Sequence, residues 1–113
     1  MSEVDTMNLQ LASNWLERGS VGFSDIHQFA VQCRDASVPP NRESAAMMLL
    51  AQAAVTFAER QEGTAVSKEV VLEFLVHLHA DAVRLRDASS TSDAALIAEL
   101  NHFAARLAKD FCI

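Results

Sequence analysis

Tyrosine is missing from this chain of 113 residues, and glycine (three), proline (two), cysteine (two) and tryptophan (one) are scarce. Each shortage excludes something. Without tyrosine, one common general acid, base and ligand is unavailable. Gly19, Gly22 and Gly63 stand apart from one another, so no glycine-rich loop exists to cradle a phosphate. Few glycines and prolines also mean few tight turns, which leaves long regular elements as the expectation. The cysteines, Cys33 and Cys112, have neither metal nor redox spacing between them, and a reducing, cytoplasmic setting is expected. Cys33 reads as a core residue, and Cys112 as a thiol open to adventitious oxidation or to linking two chains.

Positive charge is thin as well. Nine Lys and Arg residues face fifteen Asp and Glu, for a formal net charge of −6, and no stretch stacks the cations on one face with aromatics. Direct nucleic-acid binding is therefore disfavoured, as is an anionic membrane surface. Residues 1–20 lack a basic start and a continuous apolar block, so no signal peptide is expected. The longest uncharged run, Ser44 to Ala58, is too short and too alanine-rich to span a bilayer. Serine, histidine and acidic residues form no nucleophile elbow, and no catalytic residue, metal site or cofactor is assigned.

What is present favours helix. Half of the residues are hydrophobic, and Ala, Leu, Glu, Gln, Met and Arg are plentiful. A chain of this length forms one domain, residues 1–113, able to bury roughly two-thirds of its unfolded surface. The periodicity predicts an all-α, compact bundle of about five helices. The first runs from Val4 to Arg18 and stops at Gly19. It carries two apolar stripes: Val4, Met7, Leu11 and Trp15, and then Leu9, Ala12 and Leu16. Ser24 is the expected cap of the second, whose Ile26, Phe29, Ala30 and Cys33 share one face. "SVPPN" at residues 37–41 breaks the chain, because neither Pro39 nor Pro40 can continue a helix. The third helix, residues 42–61, is apolar nearly all round and is expected at the centre. Ser67 caps a fourth helix reaching Asp87, and "SSTS" at residues 89–92 caps a fifth ending near Phe111. No segment alternates with a strand period.

The fourth helix holds the sequence's least ordinary stretch, "LVHLHADAVRLRD". At about 100° per residue, Glu69, Glu73, His77, Asp81 and Arg84 gather on a polar face. Val71, Phe74, Leu78 and Leu85 make a clean apolar seam. Leu72, Leu75, His79, Ala82 and Arg86 make a second seam at pairing-stripe spacing. His77 and His79 point about 160° apart, so they do not chelate one ion together. Glu73, His77 and Asp81 have chelating spacing but read as a solvated ladder. Glu99 and His102 form one copy of a Glu-x-x-His pattern that di-iron bundles use twice. His79 is either a hydrogen-bonded core histidine or an interface residue. Arg86 on the same seam favours the interface, where arginine is common.

These features suit a non-enzymatic regulatory binding protein that masks or sequesters a protein partner through exposed apolar helix faces. The residues assigned to partner binding are Leu72, Leu75, His79 and Arg86, with Leu9 and Leu16 of the first helix. Within that class an inhibitor (anti-activator) of a transcriptional regulator with a basic surface is favoured. A toxin-neutralising immunity protein or a secretion chaperone is an alternative, and a small-molecule or metal-binding bundle another. Self-association as a homodimer through the same seam is expected, and a charge placed at Leu75 is expected to leave the helices intact.

Overall fold

The computed structural model describes residues 7–18, 22–61, 63, 65 and 67–111, the side chains of Phe23, Asp110 and Phe111 excepted. It is all-helical: α1 (Leu9–Leu16), α2 (Phe23–Ser37), α3 (Ser44–Gln61), α4 (Lys68–Thr91) and α5 (Asp93–Phe111), with no strand among the described residues. Val4, Gly19 and Cys112 lie outside them.

Side-chain caps set most helix starts. Asn8 Oδ1 accepts from the Leu11 amide at 2.9 Å, which caps α1 at Leu9. The cap of α2 is Gly22, two residues before the expected Ser24. Asp25, in the first turn, reaches back with Oδ2 to the Gly22 amide at 2.8 Å, which fixes the start there. Ser67 and Ser92 act as predicted, their hydroxyls accepting from the amides of Val70 at 3.2 Å and Ala95 at 3.0 Å. α4 runs four residues past the expected Asp87. Its polar end is tied into the helix, because Ser90 and Thr91 donate to the carbonyls of Arg86 and Asp87. Ser92 is thus the single residue between α4 and α5.

Between α2 and α3 the two prolines are bracketed by side chains. Asn41 donates to the Pro39 carbonyl and accepts from the Glu43 amide, both at 2.8 Å. Arg42 and Glu43 precede α3 instead of opening it, and both are engaged at a distance. Arg42 pairs with Asp93 and donates to Ser89 Oγ, holding the start of α3 to the α4–α5 elbow. Glu43 Oε1 accepts from the Leu9 amide at 3.0 Å, holding the start of α1.

α3 is the central element: it packs against α2 most extensively and also against α4 and α5. Its buried face holds Ala46, Met47, Leu50, Ala51, Ala53, Ala54 and Ala58, and the alanines let neighbouring helices approach closely. The predicted α2 face, Ile26, Phe29, Ala30 and Cys33, is buried in full. Phe57 of α3 stacks on Phe74 of α4 with ring centroids 4.1 Å apart, and Trp15 of α1 meets Phe29 of α2 at 4.6 Å. The molecule measures 41 × 41 × 22 Å, about two helix diameters thick. With so thin a body, most helices keep one long side in water. None of the described helices is long and apolar enough to cross a membrane.

Candidate functional site

The residues expected to form an outward seam divide between inside and outside. Leu9, Leu16 and Leu75 belong to the chain's own core, Leu75 being only 2% exposed. This corrects the expectation that they form a free surface, and the physical cause is plain. α1 packs on α4, so its second apolar stripe and the second seam of α4 find each other within one chain. Burying a leucine side chain is worth roughly 1.5–3 kcal/mol, so intramolecular pairing of the stripes wins over leaving them wet. Arg86 is committed too: its Nη1 donates to Ser13 Oγ of α1 at 3.3 Å, while Nε donates to Asp87 at 3.2 Å.

The His79 side chain is half-buried and makes no hydrogen bond to a described residue. Leu72 alone of the six lies fully on the outside, 48% exposed. One turn further along α4, Val76 is 58% exposed. Leu72, Val76, His79 and the half-buried Val83 follow one another at spacings of four, three and four, and therefore share one helix face. Val76 was hidden from sequence reading because the apolar arc of α4 spans more than half its circumference. The docking of α1, α3 and α5 on α4 decides which part of that arc stays uncovered.

The polar face of α4 meets α5 through charge. Asp81 accepts from Arg84 on its own helix and from Arg106 of α5, both at 2.8 Å. Glu99 lies 3.4 Å from Arg106 and 3.8 Å from Arg84. The two carboxylates keep only 15% and 18% of their side-chain surface in water, so the four-membered network is partly desolvated and its bonds count for more than those of an exposed pair. This arrangement engages one member of each of two motifs. In the Glu73, His77, Asp81 ladder the last member is turned to arginine, and in Glu99-x-x-His102 the glutamate is turned likewise while the histidine faces solvent. Among the described residues no three His, Cys, Asp or Glu side chains gather as a metal ion would need.

Cys33 sits in the core, where burial pushes its thiol up to about 12 from 9.0. At neutral pH it is a small apolar group carrying a proton, the opposite of a reactive thiolate. Comparison with protein-family models, curated proteins and solved structures finds no match for the chain.

Proposed function

We propose that the chain is a non-enzymatic, cytoplasmic binding protein that masks a protein partner, most specifically an inhibitor of a transcriptional regulator. The observation that carries this reading is the uncovered apolar stripe of α4, with Leu72 and Val76 one turn apart and His79 and Val83 continuing the face. Single exposed apolar residues are ordinary on any surface, whereas neighbours one turn apart on one helix face are the kind of anchors that a helix-in-groove contact uses. Exposed Glu69 and Glu73 lie on the same helix, within a chain of net charge −6. A partner that carries basic residues beside an apolar groove fits this surface, and the DNA-contacting face of a regulator supplies the basic residues. Association is then faster at low salt, mainly through the on-rate.

The test uses the tagged full chain to capture its partner from the native cytosol, in parallel with the Leu72→Glu and Val76→Glu variants. The reading requires a DNA-binding regulator that is retained by the parent chain, lost by both variants and released from its DNA when the parent chain is added. Capture of a toxin or a secretion substrate through the same stripe keeps the masking role and replaces the regulator. A second copy of this chain competes for the same surface. Sedimentation at tens of micromolar identifies it, as a dimer that Val76→Glu converts to monomer.

A further inference from the structure

Where α3, α4 and α5 meet, a groove of about 550 Å³ opens on the surface, and its chemistry differs from that of the rest of the molecule. Its apolar wall includes Phe74 and Leu78 of α4 and Leu107 of α5. Its charged residues are Arg84, Arg106 and Lys109, with Asp81 as the single carboxylate. On a chain of net charge −6 this is a local reversal of sign. Asp81 is shared between Arg84 and Arg106, and Glu99, outside the groove lining, approaches the same two arginines. Three cations against those two carboxylates leave one positive charge in excess. Lys109 forms no ion pair with a described residue and is exposed.

Arg106 is also incompletely used. Its Nη2 serves both Asp81 and Glu99, while its Nε is buried and has no hydrogen-bond acceptor. A buried donor without a partner is destabilising, but this one is closed to solvent, so it is the exposed remainder of the Arg106 side chain, 40% of its surface, that a ligand can meet.

We propose that this groove binds a small amphipathic monocarboxylate, with its apolar body against Phe74, Leu78 and Leu107 and its carboxylate held by Arg106 and Lys109. A carboxylate gains charge-assisted hydrogen bonds from guanidinium and ammonium donors. The volume lies within the ordinary range for small-molecule sites, roughly 300–1,000 Å³. An amine would be repelled by the excess positive charge, and inorganic phosphate would leave the apolar wall wet. Leu72 and Val76 take no part in the lining, so the site stands apart from the stripe assigned to a protein partner and does not depend on it.

Calorimetric titration of the full chain with octanoate, octylammonium and inorganic phosphate tests the proposal. Octanoate is expected to bind saturably at one site with a Kd on the order of 0.1–1 mM, as suits a ligand of its size. Octylammonium and phosphate are expected to bind at least about tenfold more weakly. Arg106→Gln is expected to weaken octanoate about tenfold or more. Because that change also disturbs the Asp81–Glu99 network, Lys109→Met, which breaks no ion pair with a described residue, serves as the second variant, with a loss of about threefold or more expected. Absence of saturable octanoate binding up to about 10 mM overturns the proposal. So does equal binding of octylammonium, which would mark a merely apolar crevice, or equal binding of phosphate, which would mark an anion site without the apolar part. Octanoate binding unchanged in both variants places the ligand elsewhere and overturns it as well.

Discussion

Arg86 of α4 donates through Nη1 to the hydroxyl of Ser13 on α1, across 3.3 Å and 73 positions of sequence. Ser13 is 1% exposed, and among the described residues it is the single buried polar side chain of the core. Its hydroxyl in turn donates to the Gln10 carbonyl at 2.9 Å, so both of its capacities are used. An arginine within an apolar seam is thereby explained: its stem lies along the seam, and its head meets the one polar group that α1 offers there.

Replacing Ser13 with Ala removes that acceptor. Because the Arg86 side chain keeps about a third of its surface in water, the released N–H turns to solvent and the penalty is modest. Urea unfolding is expected to show a loss of about 0.5–1.5 kcal/mol. In a double-mutant cycle with Arg86→Met, the two losses are expected not to add; simple additivity would mean that the bond contributes nothing.

Leu50, at the centre of the buried face of α3, has no solvent exposure. Leu50→Ala is expected to cost about 2–5 kcal/mol, whereas Met48→Ala, on the outer side of the same helix, is expected to stay within about 1 kcal/mol. Comparable losses at the two positions would contradict the central placement of α3.

Adjacent residues of α4 give a sharper contrast. Leu75→Glu puts a carboxylate into the α1–α4 contact and is expected to abolish the cooperative thermal transition followed by circular dichroism. Val76→Glu, one position on, is expected to leave both the signal and the thermal midpoint nearly unchanged. A folded Leu75→Glu protein would return that seam to the surface.

The Cys33 thiol is expected to resist alkylation in the native state at pH 8, measured with Cys112 replaced by Ser so that one thiol remains. Burial raises its pKa, so the folded form keeps its proton where the unfolded form ionises. The corresponding stability is fully present below pH 9.0 and declines as pH rises toward about 12. Labelling that keeps pace with a free thiol in native buffer would show that the site opens without unfolding.

The helices were legible in the sequence because their signals are local. Ser67 and Ser92 cap by hydroxyls that lie within three residues of their targets, and the Ile26, Phe29, Ala30, Cys33 face is set by helical period alone. The late end of α4 escaped because serine and threonine, read as cap formers, instead bond back to the preceding turn. The surface escaped for a different reason. Sequence shows that α1 and α4 each have two apolar stripes, but which stripe covers which depends on docking between segments far apart in the chain. The same holds for Asp81 with Arg106, whose pairing exists only once α5 folds back beside α4.

The pairing of α1 with α4 carries a consequence for synthesis. Every other extensive helix contact joins elements from α2 onward, whereas α1 must wait for α4. At about 5–20 residues per second, the interval between Ser13 and Arg86 is roughly 4–15 s. Throughout that interval the nascent chain holds Leu9, Ala12 and Leu16 without their eventual cover, while the α2–α3 hairpin can already close. During translation, then, α1 is the described helix that waits longest for its cover.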